Sequence, residues 1–310
     1  MTRSIEDVIS ELWPEHTAHF EPLAGGITNA NYRVEVGDDV YAVRLPGEDT
    51  ELLGIDRDSE IAAGRIAAEL GIGPELVQHC PRHSYVVTRF IEGRHVDARE
   101  VGDEPMISEI SSALRAVHHA GTIEAHFDAF RLVSAYHELA AARKTTERFD
   151  YEHMAAVLGR IAAARGGHAT VLCHNDLLTA NLLHDGRLRI VDWEYSAMGD
   201  PFFDLGNLAV NHSFTAEQIE RLLAGYFDVF DERHTAALEL FELVSEAREA
   251  MWGVAQLAIS SLDVDFEAYS LEHARGFFEL EANLELEALA ELTAGLAGED
   301  QPRTRTPSGS

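Results

Sequence analysis

The chain has 310 residues, of which 46% are hydrophobic, and its 54 acidic against 24 basic residues give a formal net charge of −30. This length is sufficient for two modest lobes with a sizeable core. The negative charge makes nucleic acid and anionic membrane surfaces poor partners. No apolar run in the sequence is long enough to span a bilayer, so we expect no stable membrane association.

The first fifteen residues predict an amphipathic helix, because their apolar side chains recur at the spacing of one helical face. These side chains are Ile5, Val8, Ile9 and Leu12. A helix of this kind is not a secretory signal, so we predict a cytoplasmic protein. The two cysteines of the sequence, Cys80 and Cys173, are interpreted as reduced thiols.

The N-terminal third predicts a five-stranded sheet and one helix. Strand patterns occupy residues 20–23, 32–36, 40–45, 76–77 and 85–88. A helix is predicted over residues 56–70, and Gly71 ends it. Between the first two strands, a turn with Gly25, Gly26 and Thr28 could offer backbone N–H groups and a hydroxyl to phosphate oxygens. An ordinary hairpin turn is the alternative interpretation.

Beyond Gly93 the chain is predicted to be mainly helical. Helix patterns occupy residues 106–119, 130–142, 151–164, 202–211, 216–227, 233–258 and 266–296. The single lysine of the sequence, Lys144, is placed in a charged helix in the middle of the chain. Residues 298–310 have no periodicity and predict a disordered tail.

The most informative stretch begins at His174. Asp176 follows it by two residues, and Asn181 follows that acid by five. A short hairpin with Gly186 in its turn then leads to a second acid, Asp192. This is the arrangement that phosphoryl transfer needs, with one carboxylate to take a hydroxyl proton and an Asn/Asp pair to hold magnesium on the phosphates. The alternative is that Asp176 and Asn181 are turn and capping residues.

Residues 174–181 resemble the catalytic loop of protein-kinase-like phosphotransferases. Together with residues 192–195 and 199–207, they resemble the choline/ethanolamine kinase family, which neighbours the aminoglycoside phosphotransferases. The resemblance implies an α+β, bilobal protein-kinase-like fold. Its small N-terminal nucleotide-binding lobe, residues 1–91, would have a five-stranded antiparallel sheet plus a helix. Its larger, mostly helical C-terminal lobe, residues 92–297, would carry the catalytic and acceptor sites.

The resemblance also implies ATP and Mg²⁺ as cofactors and assigns roles to single residues. Asp176 would be the catalytic base, His174 would orient the loop, and Asn181 and Asp192 would hold the metal. Arg44, steadied by Glu60, would replace the phosphate-binding lysine of kinase-like folds, although a solvent-facing arginine on a strand is the alternative. The remaining nucleotide-binding residues would be Gly25, Gly26, Thr28 and Asn29 in the turn, and Arg89, Phe90 and Ile91 in the linker beside the adenine.

The acceptor is predicted to be a small alcohol with a cationic nitrogen, choline or ethanolamine. Trp252, Tyr195 and Tyr269 would form an aromatic cage, because ring faces attract cations. Glu249 stands where the family commonly has a further Trp, which could favour a primary amine, and Glu194 is assigned to the same acceptor site. A core position for Trp252 is the alternative.

Other functions remain open at this stage. An aminoglycoside or another small-molecule hydroxyl would also suit a phosphotransferase with an acidic acceptor site. A regulatory, nucleotide-binding pseudokinase is disfavoured, because Asp176, Asn181 and Asp192 are all present. The sequence does not indicate an oligomeric state.

Overall fold

The structure, a computed structural model, describes residues 3–23, 29–47 and 50–296. Three of the residues predicted to bind phosphate, Gly25, Gly26 and Thr28, lie outside the described residues. The predicted disordered tail, residues 298–310, also lies outside them.

The N-terminal lobe is built on one antiparallel sheet of five strands. Its elements are α1 (Ile5–Leu12), β1 (Ala18–Pro22), β2 (Asn29–Val36), β3 (Asp39–Pro46), α2 (Arg57–Glu69), β4 (Leu76–Cys80) and β5 (Tyr85–Arg89). The strands lie in the order β1-β2-β3-β5-β4. Ile5 and Val8 of α1 pack into a core with Val34, Val43 and Val87 of the sheet. The prediction of a five-stranded antiparallel sheet is therefore confirmed.

Helix α2 begins and ends where the sequence predicts. The Asp56 side chain caps its start by accepting a hydrogen bond from the Ser59 N–H at 2.7 Å, which satisfies one of the open donors of the first turn. Gly71 follows the helix with φ +70°, a left-handed conformation that glycine adopts without a steric penalty. These two signals mark the start and the end of the helix.

The C-terminal lobe is mostly helical. It begins with β6 (Arg94–His95), α3 (Glu104–His118), α4 (Ala129–Ala142), α5 (Tyr151–Arg165) and β7 (Val171–Cys173). It continues with β8 (Leu182–His184), β9 (Leu188–Ile190), β10 (Ala197–Gly199), α6 (Pro201–Asn211) and α7 (Ala216–Tyr226). It ends with α8 (Glu232–Ile259), α9 (Phe266–Asn283) and α10 (Leu286–Ala294). The hairpin β8–β9 turns at Gly186, which has φ +107°.

Helix α8 is the centre of this lobe and packs against α4, α6, α9 and α10. Most of its residues from Ala236 to Gln256 are buried, charged ones included. A helix that contacts neighbours on several sides is expected to be buried around most of its circumference. Among the described residues, no helix is both long and apolar enough to cross a membrane.

Two details of the predicted helices are wrong. Residues 266–296 do not form one helix, because Leu284 has an extended backbone and separates α9 from α10. The break turns α10 back onto α5 and α8 and buries Leu286, so tertiary packing overrides a continuous helical pattern. Lys144 is not inside a helix: it lies just beyond α4 with φ +61° and is exposed.

The crossing of α6 and α8 depends on Gly206. A Cβ atom at this position would lie 2.7 Å from the carbonyl carbon of Phe241 and 2.9 Å from the nitrogen of Glu242. Because the clash is with backbone, we expect Gly206→Ala to lower the free energy of unfolding by about 1–3 kcal/mol in urea denaturation.

Gly159→Ala on α5 is the matched control, since a Cβ atom there meets no other atom within 4 Å. Alanine should raise the free energy of unfolding at this helical position by up to about 1 kcal/mol. Equal changes in the two variants would contradict a close approach of α6 and α8 at Gly206.

Candidate active site

A cavity of about 400 Å³ lies between the two lobes. Its volume falls in the range of small-molecule sites. Its walls include most of the described residues that were predicted to bind nucleotide and metal. These are Arg44, Glu60, Arg89, Phe90, Ile91, Asn181 and Asp192. The apolar part of the wall includes Ala42, Val86, Leu183 and Val191.

The predicted linker leaves the sheet at β5 and forms one end of this cavity. The Phe90 N–H donates to the Val40 carbonyl at 3.0 Å, and the Arg89 N–H donates to the Glu75 carbonyl at 2.8 Å. The Arg89 side chain pairs with Asp39 at 2.6 Å. Sheet hydrogen bonds therefore fix the backbone of the linker where it borders the cavity.

Arg44 reaches from β3 to both lobes. Its Nη2 pairs with Glu60 of α2, and its Nη1 donates to Asp192 Oδ1 at 2.9 Å. The Arg44 side chain is only 14% exposed, so it is not the solvent-facing arginine of the alternative interpretation. Asp192 itself has φ +64°, an uncommon conformation for a residue with a side chain. The predicted phosphate cation and one predicted metal ligand are thus in direct contact.

Arg57, the first residue of α2, was missed by the sequence analysis. Its guanidinium donates to Glu60, Glu194, Asn29 and Thr50. Burial, the largest cause, together with the charge of Arg44 lowers the pKa of Arg57. The only signal in the sequence was its spacing of three residues from Glu60 on one helix.

Glu194 lies in this same group. Its side chain is 3% exposed and accepts hydrogen bonds from Asn29 Nδ2 at 2.7 Å and from Arg57 Nη1 at 3.1 Å. Both partners belong to the N-terminal lobe, and neither belongs to the predicted acceptor residues. Asn29 likewise uses both its amide oxygen and its amide nitrogen in these contacts. Acceptor binding by Glu194 stays a prediction.

The loop before Asp176 is held from below by Asp204 of α6. The buried carboxylate accepts hydrogen bonds from the N–H groups of His174 at 2.8 Å and Asn175 at 2.7 Å. His118 Nε2 lies 3.0 Å from this carboxylate, which can only accept, so Nε2 donates to it, while His118 Nδ1 lies 2.6 Å from the Tyr226 hydroxyl. Burial opposes ionisation of Asp204, but these hydrogen bonds outweigh it and lower the pKa. The carboxylate is therefore charged and able to hold both donors.

His174 orients the loop through both of its ring nitrogens. Nε2 lies 3.0 Å from the Val191 carbonyl, which can only accept, so Nε2 carries the proton. Nδ1 then accepts from the Asp176 N–H at 3.2 Å. Burial lowers the pKa of His174, which keeps the ring neutral. With both nitrogens in use, this histidine is not placed to act as a base.

Asp176 and Asn181 are in contact. Asn181 Nδ2 donates to the Asp176 carbonyl at 2.9 Å and to Asp176 Oδ2 at 3.0 Å. Burial, the main cause, raises the pKa of Asp176 to about 8, while Arg248 acts to lower it and Glu249 to raise it. Both hydrogen bonds between these residues use the Asn181 amide nitrogen, so the amide oxygen is the atom left for a cation. An amide oxygen and the Asp192 carboxylate are hard ligands that fit Mg²⁺.

Arg248 is the second residue that the sequence analysis missed. It lies on α8 and is 1% exposed, with its guanidinium 5.1 Å from the centre of the Tyr195 ring. Nη1 lies 2.8 Å from Glu249, Nη2 lies 4.0 Å from Asp176, and Nη2 also donates to the Asn175 carbonyl. Its sequence signal was a charged pair, Arg248 and Glu249, inside an otherwise buried helix.

The other predicted acceptor residues form one cluster, in which Tyr195, Glu249 and Trp252 are buried and Tyr269 is half-buried. Trp252 Nε1 donates to the Tyr195 hydroxyl at 2.8 Å, and the Tyr269 hydroxyl donates to Glu249 Oε2 at 2.8 Å. The rings of Trp252 and Tyr269 meet edge to face, 5.4 Å apart. The structure therefore brings Tyr195, Glu249, Trp252 and Tyr269 together, with Arg248 over one ring.

Comparisons with known proteins point to one family. The model of the phosphotransferase enzyme family matches residues 19–241. Ethanolamine kinase 1 of Mus musculus is 24% identical over 313 residues, which cover 86% of this chain and 85% of the relative. Among solved structures, a choline/ethanolamine kinase family protein from Mesorhizobium loti is 27% identical with a TM-score of 0.78, covering 94% of this chain and 97% of the other.

Two further proteins with solved structures share the fold at lower identity. Choline kinase LicA from Streptococcus pneumoniae is 24% identical with a TM-score of 0.72, covering 89% of this chain and 98% of the other, and a LicA structure contains AMP. A spectinomycin phosphotransferase is 14% identical with a TM-score of 0.59, covering 94% and 99%. Since the family model covers more than half of the sequence, the chain belongs to the phosphotransferase enzyme family, and its fold is the kinase-like one predicted for it.

Proposed function

We propose that the protein is an ATP-dependent phosphotransferase that moves the γ-phosphate to the hydroxyl of a small alcohol with a cationic nitrogen. The observation that carries this proposal is that Asn181 and Asp192 line a cavity between the lobes, with Asp176 hydrogen-bonded to Asn181 and Arg44 paired to Asp192. Ethanolamine and choline are the acceptors of the named relatives. We assign these acceptors to the chain as part of the proposal.

The cavity is the proposed nucleotide site. The linker of Arg89, Phe90 and Ile91 would border the adenine, and Arg44 would contact the phosphates with its guanidinium. Bound Mg²⁺ supplies charge neutralisation on the phosphates. Asn181 and Asp192 would hold it, because their oxygens are the ligands available beside Arg44.

Asp176 is the proposed base. It would accept the proton of the acceptor hydroxyl and orient that oxygen for attack. Asn181 fixes one carboxylate oxygen of Asp176 through its amide nitrogen. Arg248, 4.0 Å away, provides a fixed positive charge next to the base. His174 takes no proton and keeps the loop in place.

The charges of the buried cluster support a cationic acceptor. Asp176 and Glu249 place two carboxyl groups beside the one guanidinium of Arg248, and a bound cation would favour the ionised form of Asp176, whose pKa burial raises to about 8. Glu249 Oε1 is buried and pairs with Arg248 Nη1 at 2.8 Å, but within the described residues it receives no hydrogen bond of good geometry. A primary ammonium could donate to it, whereas a trimethylammonium could not. We therefore favour ethanolamine over choline, and the enclosed cluster favours a small alcohol over an aminoglycoside.

Asp176→Asn tests the base. We expect turnover to fall by about 10²-fold or more, because an amide cannot accept the hydroxyl proton. The melting temperature should stay close to that of the wild type, since Asn preserves the side-chain shape. Asp185→Asn, in the exposed turn of the hairpin β8–β9, is the control and should retain full turnover. A variant with more than about a tenth of wild-type turnover would exclude Asp176 as the base.

Arg44→Ala tests the phosphate cation. We expect the KM for ATP to rise by about tenfold or more, because a buried, charge-assisted contact is lost. Lys144→Ala is the control, since this lysine is exposed and is not among the residues that line the cavity. Steady-state kinetics with varied ATP measure both variants. Equal and small effects would show that another group holds the phosphates.

Glu249→Gln tests the acceptor. We expect it to raise the KM for ethanolamine by about tenfold or more, which is the loss expected for a hydrogen bond to a charged group. The KM for choline should change less, because its nitrogen has no N–H to donate. Glu272→Gln, an exposed acid on α9, is the control. An equal effect on both alcohols would contradict the direct contact. If the protein phosphorylated an aminoglycoside and neither alcohol, the proposed acceptor would be wrong, while the proposed phosphotransfer reaction would still hold.

A further inference from the structure

One guanidinium connects four segments around the proposed nucleotide site. Arg57 Nη1 donates to Glu60 Oε2 at 2.8 Å and to Glu194 Oε2 at 3.1 Å. Arg57 Nη2 donates to Asn29 Oδ1 and to Thr50 Oγ1, each at 3.0 Å. Glu194 belongs to the C-terminal lobe, and the other three partners belong to the N-terminal lobe. Arg57 is therefore a polar link between the lobes.

The four acceptors are buried. Glu60 is 4% exposed, Glu194 3%, Asn29 8% and Thr50 7%. A buried carboxylate that loses its cationic partner is strongly destabilised where it lies. Arg44 also pairs with Glu60, but Arg57 is the cation that the structure places on Glu194. The position of Glu194 against the N-terminal lobe thus depends on the charge of Arg57, together with Asn29, whose Nδ2 donates to the same oxygen at 2.7 Å.

Two of the four partners are next to a group that the proposed reaction uses. Glu60 pairs with Arg44, the proposed phosphate cation. Glu194 follows Asp192, the proposed metal ligand, by two residues, and Asn29 begins β2. Moving Glu60 or Glu194 would move its functional neighbour, because an ion pair joins Glu60 to Arg44 and a short stretch of backbone joins Glu194 to Asp192.

We propose that Arg57 is a positioning residue that sets the separation of Arg44 from Asp192 by joining α2 to the segment after Asp192. This inference rests on the proposed phosphotransfer. Arginine suits the position because its planar guanidinium presents two nitrogens in a fixed geometry, so that it serves four acceptors at once. Arg57 touches neither the base nor the acceptor cluster in any contact of the described residues, so its effect should be confined to the nucleotide side.

The test compares Arg57→Gln with Arg65→Gln, a control arginine that is exposed two turns further along α2. We expect Arg57→Gln to raise the KM for MgATP by about tenfold or more and to change the KM for ethanolamine by less than about threefold. Arg65→Gln should match the wild type. The KM of Arg57→Lys for MgATP should lie between the values of these two variants. One ammonium restores the charge at Glu60 and Glu194 but cannot also donate to Asn29 and Thr50.

A double-mutant cycle with Glu194→Gln isolates the link between the lobes. We expect Glu194→Gln to raise the KM for MgATP, and the double variant to be no worse than Arg57→Gln alone, since both changes remove one shared contact. A rise in the KM for ethanolamine in Glu194→Gln would instead place Glu194 in the acceptor site and overturn the inference. If Arg57→Gln does not fold, Arg57→Lys and Glu194→Gln test the positioning role instead, by the same comparison of the KM for MgATP with the KM for ethanolamine.

Two further outcomes would overturn the positioning role. Arg57→Gln could behave as Arg65→Gln does, or it could raise both KM values equally while lowering the melting temperature, which is the signature of a structural role alone. A wild-type protein that transfers phosphate from ATP to none of the small alcohols would overturn the proposed function, and this inference with it. An active wild type with an unaffected Arg57→Gln would overturn only the inference.

Discussion

Charge that is removed from water has to be paired, and this constraint shapes the whole region between the lobes. Three guanidiniums face five carboxylates there: Arg44, Arg57 and Arg248 face Glu60, Asp176, Asp192, Glu194 and Glu249. Burial raises the pKa of Asp176 to about 8 and also raises the pKa of Glu194, so the carboxyl groups outnumber the cations available to hold them ionised. A metal ion beside Asp192 and an ammonium beside Glu249 would supply positive charge at two different places, so the same shortage of cations supports both the proposed cofactor and the proposed acceptor.

The sequence was most informative where function depends on residues close together in the chain. Asp176 and Asn181 are five residues apart. A short apolar pattern and Gly186 predict the hairpin that returns the chain to Asp192. Structure of this kind can be predicted from the sequence, because turns and hairpins are determined by residues that are close together in the chain. The five-stranded sheet and the kinase-like fold, which the family resemblance implied, were confirmed as well. The roles of the site residues stay predictions.

Contacts between distant parts of the chain could not be read in this way. Arg57 meets Glu194 across 137 residues, and Arg248 reaches Asn175 across 73. Either arginine, taken alone, has the pattern of an ordinary charged residue on a helix. The break after α9 was missed for a related reason, since the helical pattern continues through Leu284 and only packing of α10 on α8 interrupts it. Propensity is a weak prior where tertiary contacts decide.

Arg248 determines how strongly the aromatic residues of the acceptor cluster can attract a cationic acceptor. A ring face that already interacts with a guanidinium offers less to a second cation, and the Tyr195 ring has Arg248 5.1 Å from its centre. Trp252 and Tyr269 are turned edge to face, and their polar atoms are engaged by Tyr195 and Glu249. Selection among cationic alcohols would then depend less on ring faces than on carboxylate oxygens that require an N–H donor, and this difference separates a primary ammonium from a trimethylammonium.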